Sequence, residues 1–306
     1  VSSVRVGGVV FGTGGGVYLV RLDGGDMVEA SLRGRLKQER RTGDKVVIGD
    51  HVEAGPTEDG WAVERVLERR SQLVRHSLGG RLTKVVAANV DRVLAVIATR
   101  DPPPSLTMVD RLLVVAEASG VPPVLVVNKV DLEGGRDVAD SLARLYRPIG
   151  YRVLVVSAAT GEGMDAVAAE VCRGVSALMG PSGAGKSSLL NSLHPELELR
   201  TGELSRKTGR GRHTTVSARL VPLACGGVAA DTPGFGEVGV WGVESGEVAH
   251  HFPEIAPLEV ECRFRGCAHL KEPDCAVRAA VAAGSVAESR YRSYVTLREE
   301  ATAAEE

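Results

Sequence analysis

One loop, Gly180-Pro181-Ser182-Gly183-Ala184-Gly185-Lys186-Ser187-Ser188, constrains this 306-residue chain more than any other feature. It follows an apolar run, Gly174–Met179, and precedes a helical one, Leu189–Leu193, the strand–loop–helix context that a phosphate-binding loop requires. Glycines let the backbone wrap an anion, so several N–H groups and the helix N-terminus face it. Lys186 then brings charge to the β- and γ-phosphates, and the Ser187 hydroxyl is placed to ligate Mg²⁺. The chain must therefore build a largely parallel sheet that carries this loop at a strand end.

Other nucleotide-reading elements lie on both sides of the loop, in an unusual order. Asn128-Lys129-Val130-Asp131 follows the apolar strand Val124–Val127, and an Asn-Lys-x-Asp there reads guanine. The aspartate accepts from the ring N–H and the exocyclic amine, a pattern adenine does not offer. Ser157-Ala158-Ala159 follows the next strand, Val153–Val156, and supports the base from the other side. After the phosphate loop come Arg210-Gly211-Arg212-His213-Thr214-Thr215, a candidate first switch, and Asp231-Thr232-Pro233-Gly234. In the latter the aspartate holds Mg²⁺ through water and the Gly234 amide contacts the γ-phosphate. Thr215 is expected to complete the Mg²⁺ shell with Ser187 and Asp231. In ordinary small GTPases the phosphate loop comes first and the guanine motif fourth. Here the guanine motif leads, as a circular permutation of the same sheet produces. Phe235 stands where a water-positioning glutamine is usual, so hydrolysis needs another group: His213 or one lent by a partner.

Around this core the chain divides into expected segments. Residues 1–73 hold short β-like runs broken by glycine turns: Val4–Phe11, Val17–Arg21, Val28–Leu32, Lys45–Val52 and Trp61–Leu67. Five such strands point to a small closed barrel of the OB type. Gly12–Gly16 has no following helix or lysine, so it reads as a hairpin turn. Residues 74–88 read as a linker, and 89–240 as the permuted nucleotide-binding domain with a doubly wound sheet. Residues 241–306 read as a C-terminal helical module, ending in Ala276–Ala283 and Ala287–Glu300.

That module holds Cys262-Arg-Phe-Arg-Gly-Cys267-Ala-His269-Leu-Lys-Glu-Pro-Asp-Cys275. Three thiols and an imidazole within fourteen residues make the Cys₃His set of a closed structural zinc site. His250 and His251 are nearby but read as a helix surface. The other two cysteines, Cys172 and Cys225, stand alone in the sequence. An odd count of five with one cluster suits a metal site in a reducing compartment better than a disulfide framework. No stretch approaches the roughly 20 apolar residues of a membrane span, and Val1–Val10 lacks signal-peptide character. The expectation is a cytoplasmic monomer with no membrane partner.

Together these elements resemble the ribosome small-subunit-dependent GTPase A family of circularly permuted GTPases. The resemblance is carried by the barrel, the motif order, His213-Thr-Thr and Asp231-Thr-Pro-Gly-Phe. The cysteine–histidine spacing, Phe252-Pro-Glu-Ile255 and Arg290-Tyr-x-x-Tyr294 carry it further, and it spans essentially the whole chain. It implies a cytoplasmic GTP hydrolase of late small-subunit maturation, activated by the subunit it binds, with Cys262, Cys267, His269 and Cys275 as zinc ligands.

With a net charge of -2 there is no global pull toward nucleic acid, so rRNA binding must rest on local clusters. Arg33, Arg35, Lys37, Arg40 and Arg41 form one, and Arg69, Arg70, Arg75, Arg81 and Lys84 a second. Arg200, Arg206, Lys207, Arg210, Arg212 and Arg219 form a third. Beside an OB-type barrel and a zinc module they point to RNA. The alternative is a GTP-gated rRNA-binding scaffold with little intrinsic turnover, which Phe235 keeps open.

Overall fold

A computed structural model of the chain describes residues 5–34, 36, 46–76, 83–194, 218–231 and 243–305. The candidate first switch, with His213, Thr214 and Thr215, and the segment Thr232–Phe235 lie outside the described residues. So do Arg35, Lys37, Arg40, Arg41 and most of the third basic cluster.

The N-terminal strands are β1 (Val6–Gly14), β2 (Val17–Leu22), β3 (Met27–Leu32), β4 (His51–Thr57) and β5 (Gly60–Val66). They follow one another in the order β1-β2-β3-β5-β4, and β1 also pairs β4, which closes the barrel. Val10, Val20, Ala30, Val52, Ala54 and Val63 fill its interior. The Gly12–Gly16 run does make the β1–β2 turn, with Gly15 and Gly16 at φ 57° and 85°. One expected strand is displaced. Instead of Lys45–Val52, the fourth strand is His51–Thr57, and the buried Val46, Val47 and Ile48 are apolar residues outside any strand. A run of β-branched residues imitates a strand here: within it Ile48 makes one isolated parallel bridge, to Ala87, and burial rather than a ladder accounts for the rest.

The stretch expected as a linker carries a two-stranded hairpin, β6 (Gln72–His76) with β7 (Thr83–Ala88). The second domain follows with β8 (Arg92–Ala98), α1 (Leu106–Ala118), β9 (Pro123–Asn128), α2 (Gly135–Tyr146) and β10 (Arg152–Val155). It continues through α3 (Met164–Val171), β11 (Val175–Met179), α4 (Lys186–Leu193), β12 (Ala218–Pro222) and β13 (Val228–Asp231). Strands β10, β9, β8, β11 and β13 are parallel neighbours, and β12 is antiparallel to β13. In β8 every residue from Val93 to Ala98 is buried, as a strand covered on both faces requires. Helix α2 buries Ala139, Leu142, Ala143 and Tyr146, the one-face spacing of an amphipathic helix. Beyond β12 the sheet runs on into the barrel, because β12 pairs antiparallel with β1.

The C-terminal module contains two 3-10 turns, Val248–His251 and Ala256–Glu261, then α5 (Ala276–Ala282) and α6 (Glu288–Glu305). Its core is Val248, Phe252, Ile255, Val277, Tyr294, Leu297 and Ala301, together with Val114 of α1. Helix α1 thus serves two cores. Val109, Leu112, Leu113 and Ala116 face the sheet, while Val114 and Asp110 face the module. The fully buried Arg290 of α6 completes the junction. It donates to Asp110 (2.5 Å) and, through two nitrogens, to Glu254 (2.6 and 3.0 Å), and lies 4.5 Å from the Phe252 ring centroid. Tyr146 also donates to Asp110.

Cys172 and Cys225, which look unpaired in the sequence, are joined as a disulfide with Cα atoms 5.3 Å apart. Residues 53 apart meet because the two parallel strands they precede, β11 and β13, are neighbours. Among the described residues no helix is long and apolar enough to cross a membrane.

Candidate nucleotide site and metal centre

The nucleotide motifs converge at the carboxyl ends of the parallel strands, where open α/β sheets bind ligands. Residues 180–185 connect β11 to α4, and two of their glycines are sterically required. A Cβ on Gly180 would lie 2.0 Å from the Val96 carbonyl oxygen, and one on Gly185 2.2 Å from Asn128 Nδ2. At φ 147° and 94° both positions also disfavour L side chains. The loop can press against the guanine motif only because it carries no side chain there.

Asn128 is the joint of the site. Its amide donates to the Ala184 carbonyl (3.1 Å) and accepts from the Ala158 amide (3.1 Å), so one buried side chain holds the phosphate loop and the Ser157–Ala159 turn together. Ser157 Oγ donates to Asp131 Oδ1 (2.6 Å) and accepts from Thr160 N (3.1 Å). The Asp131 carboxylate is thus oriented by that serine. Lys129 takes a left-handed φ of 66°, and its ammonium donates to the carbonyls of Arg100 and Asp101. Thr99 closes the same corner, with Oγ1 donating to the Lys129 carbonyl (2.7 Å). Val130 is buried beneath them. The Thr99–Ser105 loop, with Pro102 Cδ 3.3 Å from where a Gly183 Cβ would sit, is a wall of the site that no motif signalled.

Lys186 opens α4 and folds its ammonium back onto the carbonyls of Gly180 (2.6 Å) and Pro181 (2.9 Å). Burial lowers it to about 8. The Ser187 hydroxyl group belongs to a buried residue on the first turn of α4, with Ser188 next to it. Asp231 ends β13, one residue beyond Ala230, which pairs with Ala177 of β11, the strand that leads into the phosphate loop.

The second centre is in the C-terminal module. Cys262, Cys267, His269 and Cys275 offer ligand atoms that all lie within 4.8 Å of one another. Cys262 Sγ lies 3.9 Å from Cys275 Sγ, and His269 Nδ1 lies 3.5 and 3.4 Å from those two sulfurs. A tetrahedral zinc with ordinary bond lengths sets S···S near about 3.8 Å and S···N near about 3.6 Å. The donor set fits that ion, with Nδ1 as the ligating nitrogen. His269 Nε2 faces Glu259 (3.9 Å), whose other oxygen meets His250 Nδ1 (3.1 Å), a carboxylate behind the ligand as metal sites commonly have. Glu272 accepts from the amides of Ala268, Leu270 and Lys271 at 2.9, 2.9 and 3.0 Å. Those bonds fix the turn that holds His269 at φ 56°. Backbone amides, its own first, pull the Glu272 carboxyl down to about 2.

A family model described as RsgA GTPase matches residues 66–241. A protein of Gemmatimonas aurantiaca called small ribosomal subunit biogenesis GTPase RsgA is 48% identical over 298 residues, covering 96% of both chains. The chain belongs to the RsgA GTPase family. A second RsgA, from Moorella thermoacetica, is 43% identical and covers 95% of this chain and 96% of its own. Among solved structures, YjeQ from Thermotoga maritima superposes with a TM-score of 0.80 at 33% identity, over 98% of this chain and 99% of that one. YloQ, described as a circularly permuted GTPase, gives 0.73 at 28% identity over 98% and 96%. As a member of the RsgA family the chain is a GTP hydrolase with a circularly permuted GTPase domain.

The basic clusters fare unevenly. Arg69 is nearly buried and makes two hydrogen bonds to Asp50 (2.7 and 3.0 Å), so it is a structural ion pair and leaves the second cluster. Arg70 is exposed but meets Asp91 (3.1 Å), and Arg33 meets Glu64. These carboxylates are distant in sequence, which is why the run looks unopposed there.

Proposed function

We propose that this protein binds Mg²⁺–GTP, docks on the rRNA of the small ribosomal subunit, and couples hydrolysis to late subunit maturation and its own release. The observation that carries the nucleotide part is Asn128, whose side chain joins the phosphate loop to the Ser157–Ala159 turn. The names of the relatives, small ribosomal subunit biogenesis GTPases, support the partner.

In this reading Asn128 to Asp131, Ser157 and Ala158 take the guanine, and Gly180 to Ser188 cradle the phosphates. Lys186 leaves its carbonyl cradle for the β- and γ-phosphates. Ser187, Thr215 and Asp231 hold magnesium, which would neutralise charge on the transferred phosphoryl group. The Gly234 amide meets the γ-phosphate, and His213 is proposed to orient water because Phe235 cannot. Cys262, Cys267, His269 and Cys275 hold one structural zinc ion. The chain acts as a monomer in the cytoplasm.

The test is GTP hydrolysis measured alone, with purified small subunits and with large subunits. Slow intrinsic turnover and selective stimulation by small subunits are expected; partner-supplied ordering elsewhere is worth about 10³–10⁵ in rate. An unchanged rate with small subunits would reject the coupling. If the subunits bind only the GTP form and turnover stays negligible, the protein is the GTP-gated scaffold instead.

A further inference from the structure

The disulfide Cys172–Cys225 lies at the end of the sheet opposite the nucleotide motifs. Cys172 caps the C-terminus of α3, three residues before β11 begins, and Cys225 sits in the turn between β12 and β13. It therefore ties together the starting ends of β11 and β13, which run in parallel with Val175 opposite Val228. The far end of β11 delivers Gly180 and the phosphate loop, and the far end of β13 delivers Asp231. Around the bridge the two segments approach closely. A Cβ on Gly227 would lie 1.8 Å from the Val171 carbonyl oxygen, and Val228 N donates to the Gly174 carbonyl (2.9 Å). Cys225 is exposed, whereas Cys172 is half-buried. A solvent thiol or disulfide can therefore reach one sulfur of the pair directly. The three thiols of the metal cluster belong to a separate module.

We propose that Cys172 and Cys225 form a reversible thiol–disulfide modification site whose co-substrate is a low-molecular-weight disulfide and whose state sets magnesium–nucleotide affinity. In the oxidising direction the exposed Cys225 thiolate attacks the external disulfide, forming a mixed disulfide and releasing one thiol. The Cys172 thiolate then attacks the Cys225 sulfur, closing the bridge and releasing the second thiol. Two protein thiols and one small disulfide become one protein disulfide and two small thiols; reduction is the reverse. Closed, the bridge adds a covalent tie to the hydrogen-bonded starts of β11 and β13, and so stiffens the two strands that lead to the phosphate loop and to Asp231. Open, the β12–β13 turn is held only by its hydrogen bonds.

The proposal rests on reading Gly180–Ser188 and Asp231 as the magnesium–nucleotide site, and the experiment separates the two. Full-length, zinc-loaded protein is equilibrated with oxidised glutathione or with dithiothreitol. Peptide mapping after alkylation then establishes the Cys172–Cys225 link, and binding of a fluorescent GTP analogue is titrated with and without magnesium. The oxidised form is expected to bind about fivefold more tightly with magnesium present, at the lower end of coupling between distinct sites. The difference should shrink without the ion, which a general loss of stability would not produce. Cys225→Ser should bind like the reduced protein under both conditions. Failure of the link to form, equal affinities in the two states, or a redox response that persists in Cys225→Ser would each overturn the proposal. The last result would assign the response to the metal-cluster thiols. Loss of GTP binding in both states, with the link correctly mapped, would overturn the nucleotide-site reading and this one together.

Discussion

Lys186 spends the free state bonded to the carbonyls of Gly180 and Pro181, with burial holding it at about 8. A triphosphate in the loop replaces those carbonyls with anionic oxygens, which favours the charged amine. Below about pH 8 the lysine is protonated in both states and affinity should be flat. Above it, binding takes up a proton, so affinity should fall as pH rises, by at most about tenfold per unit. Calorimetry at pH 8.5–9 (about that range) in two buffers of different ionisation enthalpy reads this uptake directly; identical heats after buffer correction would refute it. Lys186→Ala should abolish both the uptake and turnover while leaving the fold intact. At the same scale, Asp131→Asn should exchange guanine for xanthine preference, because an amide can donate to the xanthine carbonyl. Retained GTP preference in that variant would mean Ser157 does not hold Asp131 toward a base. The residue types at these positions were readable from short motifs. What no motif revealed is that Asn128 carries two jobs, since its partners lie 56 and 30 residues away.

Among elements, α1 and the C-terminal module depend on each other. Arg290 meets Asp110 across 180 residues of sequence and places three charges in a buried junction with Glu254. Arg290→Ala leaves two carboxylates buried without their partner, which costs about 3–5 kcal/mol. Denaturant unfolding should show that loss, and a change under 1 kcal/mol (roughly the worth of an exposed pair) would mean the junction is wet. The metal cluster has a different dependence. Structural zinc contributes on the order of 10–16 kcal/mol to local folding at neutral pH. Cys267→Ala should release the ion and unfold 243–305 locally while GTP binding survives; a zinc content equal to native protein would reject the ligand assignment. The cysteine spacing announced this centre, but Glu259 and Glu272 behind it were silent, because carboxylates are common in any surface loop. Strand identity was readable wherever one apolar run filled a doubly covered sheet, as in β8. It failed at Val46–Ile48, where an equally apolar run is buried with a single bridge, Ile48 to Ala87, and no ladder.

For the whole molecule, the sheet does not stop at the domain boundary. Pairing of β12 with β1 makes the barrel an extension of the strand that follows the candidate first switch. Backbone hydrogen bonds therefore run without a break from the barrel through β12 to β13, the strand that ends at Asp231. If the first basic cluster touches rRNA, replacing Arg33, Arg35 and Lys37 with alanine should lower the salt slope of subunit binding. The fall should be about 0.7–0.9 for each phosphate no longer neutralised, and an unchanged slope would place those side chains in solvent. Partner carboxylates brought in by folding, such as Asp50 at Arg69, are the reason sequence runs of arginine overstate such a surface.

The strand order β10-β9-β8-β11 also imposes a schedule on synthesis. The half that reads guanine leaves the ribosome first, and β8 then waits with one edge unpaired until β11 arrives roughly 80 residues later, about 4–16 s at ordinary elongation rates. During that interval an apolar strand edge is open to solvent and to other chains, and no phosphate loop exists to bind nucleotide. In an unpermuted relative the phosphate loop is made early and can recruit ligand to a growing sheet; here nucleotide can only reward a nearly finished domain. Nascent chains arrested before residue 175 should accordingly recruit a general chaperone and bind no GTP, whereas chains arrested beyond the emergence of β13 should do the reverse.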